Sequence, residues 1–100
     1  MMRMVPIDIG GHILIGMEMK LPKTNLVAIS TGKGYIMCGA LDVALLNERL
    51  KDRGIVAGRA VGVKTLEELL EAPLESVTTE AEKLGVAVGM RGSDALMKML

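Results

Sequence analysis

Apolar and polar positions alternate with a period of two through the first forty or so residues, then shift to helical spacing. Val5, Ile7 and Ile9 alternate with Pro6 and Asp8. Ile13, Ile15, Met17, Met19 and Leu21 alternate with His12, Leu14, Gly16, Glu18 and Lys20, which puts five apolar side chains on one face of a second strand. Gly10-Gly11 between the two runs is a hairpin signal. Pro6 marks the first strand as an edge, because proline cannot donate to a ladder. Pro22-Lys23-Thr24-Asn25 is expected to break the second strand. Leu26 to Ser30 reads as a third strand, and Gly32-Lys33-Gly34 turns into a fourth, Tyr35 to Cys38. Both are apolar on both faces, as central or partner-covered strands are. The first half is therefore expected to be an antiparallel meander.

From Asp42 onward the apolar residues recur every three or four positions. Asp42 is placed to cap a helix running to about Asp52, with Val43, Leu46 and Leu50 on one stripe and Gly54 ending it. Ile55 to Val63 reads as a strand interrupted by Gly58 and Gly62. Thr65-Leu66-Glu67-Glu68 fits a capping box, with Leu66, Leu69 and Leu70 inward and Pro73 as the stop. Thr79 to Leu84 is a short helix closed by Gly85. Val86 to Met90 reads as a last strand, and Ser93 as the cap of a final helix docking Leu96, Met99 and Leu100. The prediction is a single α+β domain over 1–100, β-rich over 1–40 and α/β over 41–100.

Composition adds a constraint on assembly. Half of the 100 residues are apolar, yet Tyr35 is the one aromatic and nine are Met. Aliphatic side chains bury less area each than aromatic ones, and a domain this small leaves much of its surface exposed. Part of the apolar excess is thus expected at the surface, covered by further copies of the chain. Twelve basic residues balance twelve acidic ones, so no global field draws the protein to nucleic acid or membrane. A basic stretch from Arg49 to Lys64 and an acidic one from Thr65 to Glu82 read as solvated helix faces. One cysteine excludes an intrachain disulfide, and neither a signal peptide nor a run of roughly 20 apolar residues is visible. A cytoplasmic protein is expected.

Four blocks carry a resemblance: Leu21-Pro-Lys-Thr-Asn25, Gly34-Tyr-Ile-Met-Cys-Gly-Ala-Leu-Asp42, Gly54-Ile-Val-Ala-Gly-Arg-Ala-Val-Gly-Val63 and Gly89-Met-Arg-Gly-Ser-Asp-Ala-Leu96. In that order they resemble the YunC-like bacterial and archaeal family, known as a domain of unknown function. The resemblance implies an α+β fold whose N-terminal β region mediates tetramer assembly. It implies no activity and carries over no catalytic residue.

Familiar chemical motifs are missing. The Gly32-Lys33-Gly34 pair lacks the third glycine of a dinucleotide loop, there is no P-loop, and one His and one Cys make no zinc site within a chain. No cofactor and no metal are expected. The meander places Cys38 and His12 at opposite ends, roughly 20 Å apart, too far for a nucleophile pair in one chain. If the helix after Cys38 is a crossover to a parallel fifth strand, one sheet edge gathers Lys23, Thr24, Cys38, Gly39, Asp42 and Lys64. If the last strand is also parallel, Arg91, Gly92 and Ser93 join them, and three helix N-termini open toward the same edge. That set suggests binding of a small anionic metabolite. Plainer readings stand beside it: Asp42, Thr65 and Ser93 as ordinary caps, Arg59 as the partner of an acid at a subunit contact, and Cys38 as a buried small apolar residue. Two other functions compete, a thiol-dependent enzyme using Cys38 and a pure assembly module.

Overall fold

The computed structural model describes residues 2–39, 41–48 and 51–100, with only the backbone of Lys51. Its first four strands are β1 (Met2–Ile9), β2 (His12–Leu21), β3 (Thr24–Ser30) and β4 (Gly34–Met37). They form the antiparallel meander expected from the alternation. Gly10 and Gly11, with φ of 57° and 85°, close the β1–β2 hairpin with Ile9 opposite His12. This is the turn whose twist suits a two-residue loop. The Asp8 carboxylate accepts the Gly11 N–H at 3.1 Å. The β2–β3 loop is also two residues, Pro22 and Lys23, with Thr24 and Asn25 already in β3. The strand break is thus two residues shorter than expected.

Helix α1 (Val43–Glu48) and a 3₁₀ turn (Lys51–Arg53) cross over to β5 (Val56–Arg59), which lies parallel to β4. Leu50 lies outside the described residues. Helix α2 (Leu66–Glu71) follows, then β6 (Ser76–Val77), α3 (Thr79–Lys83) and α4 (Gly92–Lys98). The sheet has six strands in sequence order, with β6 antiparallel to β5. The fold is α+β.

Three local expectations are corrected. Strand β5 stops at Arg59, because β4 ends at Met37, whose carbonyl accepts the Ala60 N–H as the last bond of the pair. Val86 to Met90 is not a strand: Val86 N–H returns to Ala81 and Met90 N–H to Ala87 in local turns, while the Gly89 N–H and the Met90 carbonyl pair with Leu74 beside an isolated Pro73–Arg91 bridge. The sixth strand is the two-residue β6, which has no alternation to announce it. Finally, Ser93 does not cap α4. The helix starts two residues earlier than that cap implies, at Gly92, and Arg91 is its N-cap without a side-chain bond.

The inner face of the sheet packs on α2 and α4, burying Leu14, Val27, Ile29, Ile36, Leu69, Leu96 and Met99. On the outer face α1 buries Leu41, Val43, Leu46 and Ala57, with Tyr35 and Met37 half-buried against them. No described helix covers the outer face of β1 and β2. There Met2 pairs with Met19 and Met4 with Met17, and Ile15 lies next to Ser30. Met4 is 61% exposed, Ile13 63% and Ile15 43%. The apolar stripe of β2 thus faces away from the core.

Candidate functional site

The turn after β2, the end of β4 and the residues leading into α2 surround an open cleft of about 710 Å³. Leu21, Lys23, Thr24 and Asn25 form one side, Cys38 and Gly39 a second, and Gly62, Val63 and Lys64 a third. The volume lies in the range of small-molecule sites. The parallel β4–β5 pair is what brings Cys38 and Val63 to one edge.

Two side chains hold the Lys64 backbone in place. Asn25 Nδ2 donates to the Lys64 carbonyl at 3.3 Å, and the Lys64 N–H donates to Glu68 Oε1 at 2.7 Å. Thr65 Oγ1 accepts the Glu68 N–H at 3.1 Å, so the capping box forms with its acid reaching one residue further back than usual. Glu18 reaches over from β2 and accepts the first helical N–H, from Leu66, at 3.1 Å. Lys23 has φ of 65°, the one non-glycine residue with positive φ among the described residues. A lysine there costs about 1 kcal/mol relative to glycine. Among the described residues neither lysine has an ion-pair partner.

Cys38 lines the cleft but is only 5% exposed. Its Sγ accepts the Val27 N–H at 3.5 Å and donates to the Asn25 carbonyl at 3.8 Å. His12 is six residues down β2 from Glu18, which pairs with Val27 beside Cys38, a distance of about 20 Å. No Cys–His pair forms within the chain. Alkylation of Cys38 is expected to be far slower in the native protein than in urea. Cys38→Ala is expected to fold and to lose about 1 kcal/mol. Native labelling as fast as that in urea would show a thiol more open than this packing allows.

Asp42 belongs to a second cleft of about 690 Å³, on the other side of Gly39, with Asn47, Arg59, Glu75 and Glu82. Its carboxylate caps α1 by accepting the Leu45 N–H at 3.0 Å. Arg59 donates to Glu75 at 2.8 Å and, through Nε and Nη2, to the Gly39 carbonyl at 3.3 and 3.1 Å. The acid that partners Arg59 is therefore in its own chain. Hydrogen bonds from Ser76 and then Arg59 hold the Glu75 carboxyl below its ordinary value. Acids outnumber the arginine here, so this cleft does not favour an anion.

Of the residues expected at one edge, the structure brings Lys23, Thr24, Cys38, Gly39 and Lys64 into the first cleft and leaves Arg91, Gly92 and Ser93 out of it. Arg91 pairs with Glu71 at 3.3 Å and Asp94 at 3.6 Å. Gly92 is buried against α2, and Ser93 lies within α4. Without a final strand, nothing carries the start of α4 to the edge. Val63 lines the cleft at the expected end of the fifth strand, and Leu21, Asn25 and Gly62 line it without a sequence signal of their own beyond the nearness of Leu21 and Asn25 to the Pro-Lys turn. No group of three or more His, Cys, Asp or Glu suited to a metal occurs among the described residues. No described helix is long and apolar enough to cross a membrane.

The family model described as "Domain of unknown function (DUF1805)" matches residues 37–99, which include the Cys38 and Lys64 sides of the cleft but not the Lys23 side. The chain is 62% identical to the uncharacterized protein YunC of Bacillus subtilis over 100 residues, 100% of this chain and 99% of that protein. It also resembles the crystal structure of a protein of unknown function, TA1206 from Thermoplasma acidophilum. That likeness has a TM-score of 0.90 at 33% identity and covers 100% of this chain and 94% of the other.

Proposed function

The chain belongs to the DUF1805 family, whose description assigns no activity, and from its own geometry we propose a homo-oligomeric domain that binds a small oxyanion in the Lys23–Lys64 cleft. The ligand class is a metabolite bearing a phosphate or carboxylate. The tetramer implied by the family resemblance is the expected assembly. One observation carries the ligand reading: two lysines with no ion-pair partner among the described residues line a concave site whose described lining contains no acid. Thr24 and Asn25 add hydrogen-bonding groups, and Leu21 and Val63 supply apolar walls for the rest of a metabolite. Lysine kept at a backbone position easier for glycine supports the same reading.

Inorganic phosphate is expected to raise the melting temperature along a saturating curve. Salting-out by the same ion keeps rising with concentration instead. At a hundred times Kd the stabilisation is about 2.7 kcal/mol. Lys64→Gln is expected to remove the saturating part. Lys23→Gly is expected to weaken it while raising the melting temperature of the ligand-free protein, since it removes both the charge and the backbone cost. Arg91→Ala, whose guanidinium is held by Glu71 and Asp94, is expected to leave the titration unchanged. A purely linear response, or a saturating one that survives in Lys64→Gln, overturns the site. An assembling protein indifferent to anions would favour the assembly-module reading, which the uncovered apolar face also supports.

A further inference from the structure

We infer that oxyanion binding and self-association are linked through Leu21, so that an anion in the cleft tightens the contact between copies. The inference rests on the cleft reading above. Leu21 is the last residue of the outward stripe of β2, 41% exposed, and it is also a wall of the cleft. The next two residues, Pro22 and Lys23, form the turn that carries one of the two cleft lysines. Anything that covers the stripe along its length therefore rests against the rim of the site.

A second copy of this chain suits the stripe. In a two-fold contact each group meets its own equivalent, which apolar side chains tolerate and like charges do not. The stripe from Ile13 to Leu21, with Met2 and Met4 beside it, carries no charge, and the one acid on that face of β1 and β2, Asp8 opposite Ile13, lies at the hairpin end with its carboxylate accepting the Gly11 N–H. Strand addition at the β1 edge is a poorer route, because Pro6 interrupts its donors. The outer face of β1 to β3 measures about 450 Å² from strand length and spacing. A standard interface takes about 800 Å² per partner, so contact on the strands alone is weak and the adjoining turn has to contribute.

The sign follows from electrostatics. Seating a copy on Leu21 and Pro22 removes water from around Lys23 and opposes its uncompensated charge. An anion between Lys23 and Lys64 neutralises that charge. In turn, the covered rim lowers the local dielectric and strengthens the lysine–anion attraction. Linkage makes the two effects equal.

Sedimentation of wild-type protein, with phosphate exchanged for chloride at constant ionic strength, is expected to show association tightened about tenfold at saturation. Lys64→Gln, altered on the α2 side of the cleft and away from the stripe, is expected to associate as the wild type does in chloride and to ignore phosphate. Ile15→Glu, held monomeric, is expected to bind phosphate about tenfold more weakly. Saturating phosphate binding with an unchanged association constant overturns the linkage alone. Absence of saturating binding overturns the cleft reading and the linkage with it. A wild type that stays monomeric at every concentration, with and without phosphate, also overturns the linkage.

Discussion

Replacing Ile15 with glutamate is expected to leave a folded monomer in place of the proposed assembly. Ile15 points outward from the middle of β2 and is 43% exposed, so the monomer holds a carboxylate there in water. In the assembly the same carboxylate would be buried against an apolar surface and, across a two-fold, close to its own copy. Burying an uncompensated charge costs several kcal/mol, which raises the dissociation constant by about a hundredfold or more. Light scattering at micromolar concentration is expected to show the monomer mass, with an unchanged far-ultraviolet spectrum. Met17→Lys, on the same face, is expected to behave alike. An unaltered assembly mass in both variants would place the contact elsewhere, and a wild type already monomeric would remove the proposal.

The second large effect is expected at Gly92. This residue begins α4 directly over the end of α2, donating its N–H to the Ala72 carbonyl at 3.0 Å. A Cβ at this position would overlap the Leu69 carbonyl oxygen and press on Ile36 Cδ1 at 3.0 Å. Backbone cannot swing aside as a long side chain does, so the helices have to separate. Gly92→Ala is expected to lose about 3 kcal/mol or more. For a domain of this length that lowers the melting point by about 15 °C. A variant melting beside the wild type would show that α4 slides to make room. The glycine expected at the anion-binding edge is, on this geometry, a packing requirement between two helices.

Much of the β half was legible because its signals are local. Alternation, the Gly10-Gly11 pair and Pro6 each act within a few residues, and the β1–β2 register follows from the two-residue glycine loop, whereas the β2–β3 register differs because Thr24 and Asn25 join the strand. The crossover from β4 to β5 was legible too, since parallel neighbours need a helix-length connection. The Lys23, Cys38 and Lys64 part of the cleft follows from those two facts. The C-terminal third was less legible. Val86 to Met90 has the composition of a strand, but the Val86 and Met90 N–H groups close local turns, and its pairing is confined to Leu74, beside the isolated Pro73–Arg91 bridge and outside the six-stranded sheet. The short β6 already occupies the end of the sheet beside β5. Misreading that segment carried Arg91, Gly92 and Ser93 to an edge they do not reach.

The sequence by itself determined that Ile13, Ile15, Met17, Met19 and Leu21 share one face of a strand, since side chains on a pleated backbone alternate whatever surrounds them. It left open which face turns inward, and the larger apolar face is the one that stays outside. The tertiary structure decided this through α2. A helix needs a close seat and a partner for its first N–H groups. Gly16 offers the seat, where a Cβ would run into Ile7 Cδ1 and press on Leu66 at 3.0 Å, and Glu18 accepts the Leu66 N–H. Leu14, Gly16 and Glu18 therefore face the core, although they carry less apolar surface than the opposite side. The stripe left outside is a consequence of where the helix could dock, and it reaches the rim of the Lys23–Lys64 cleft at Leu21.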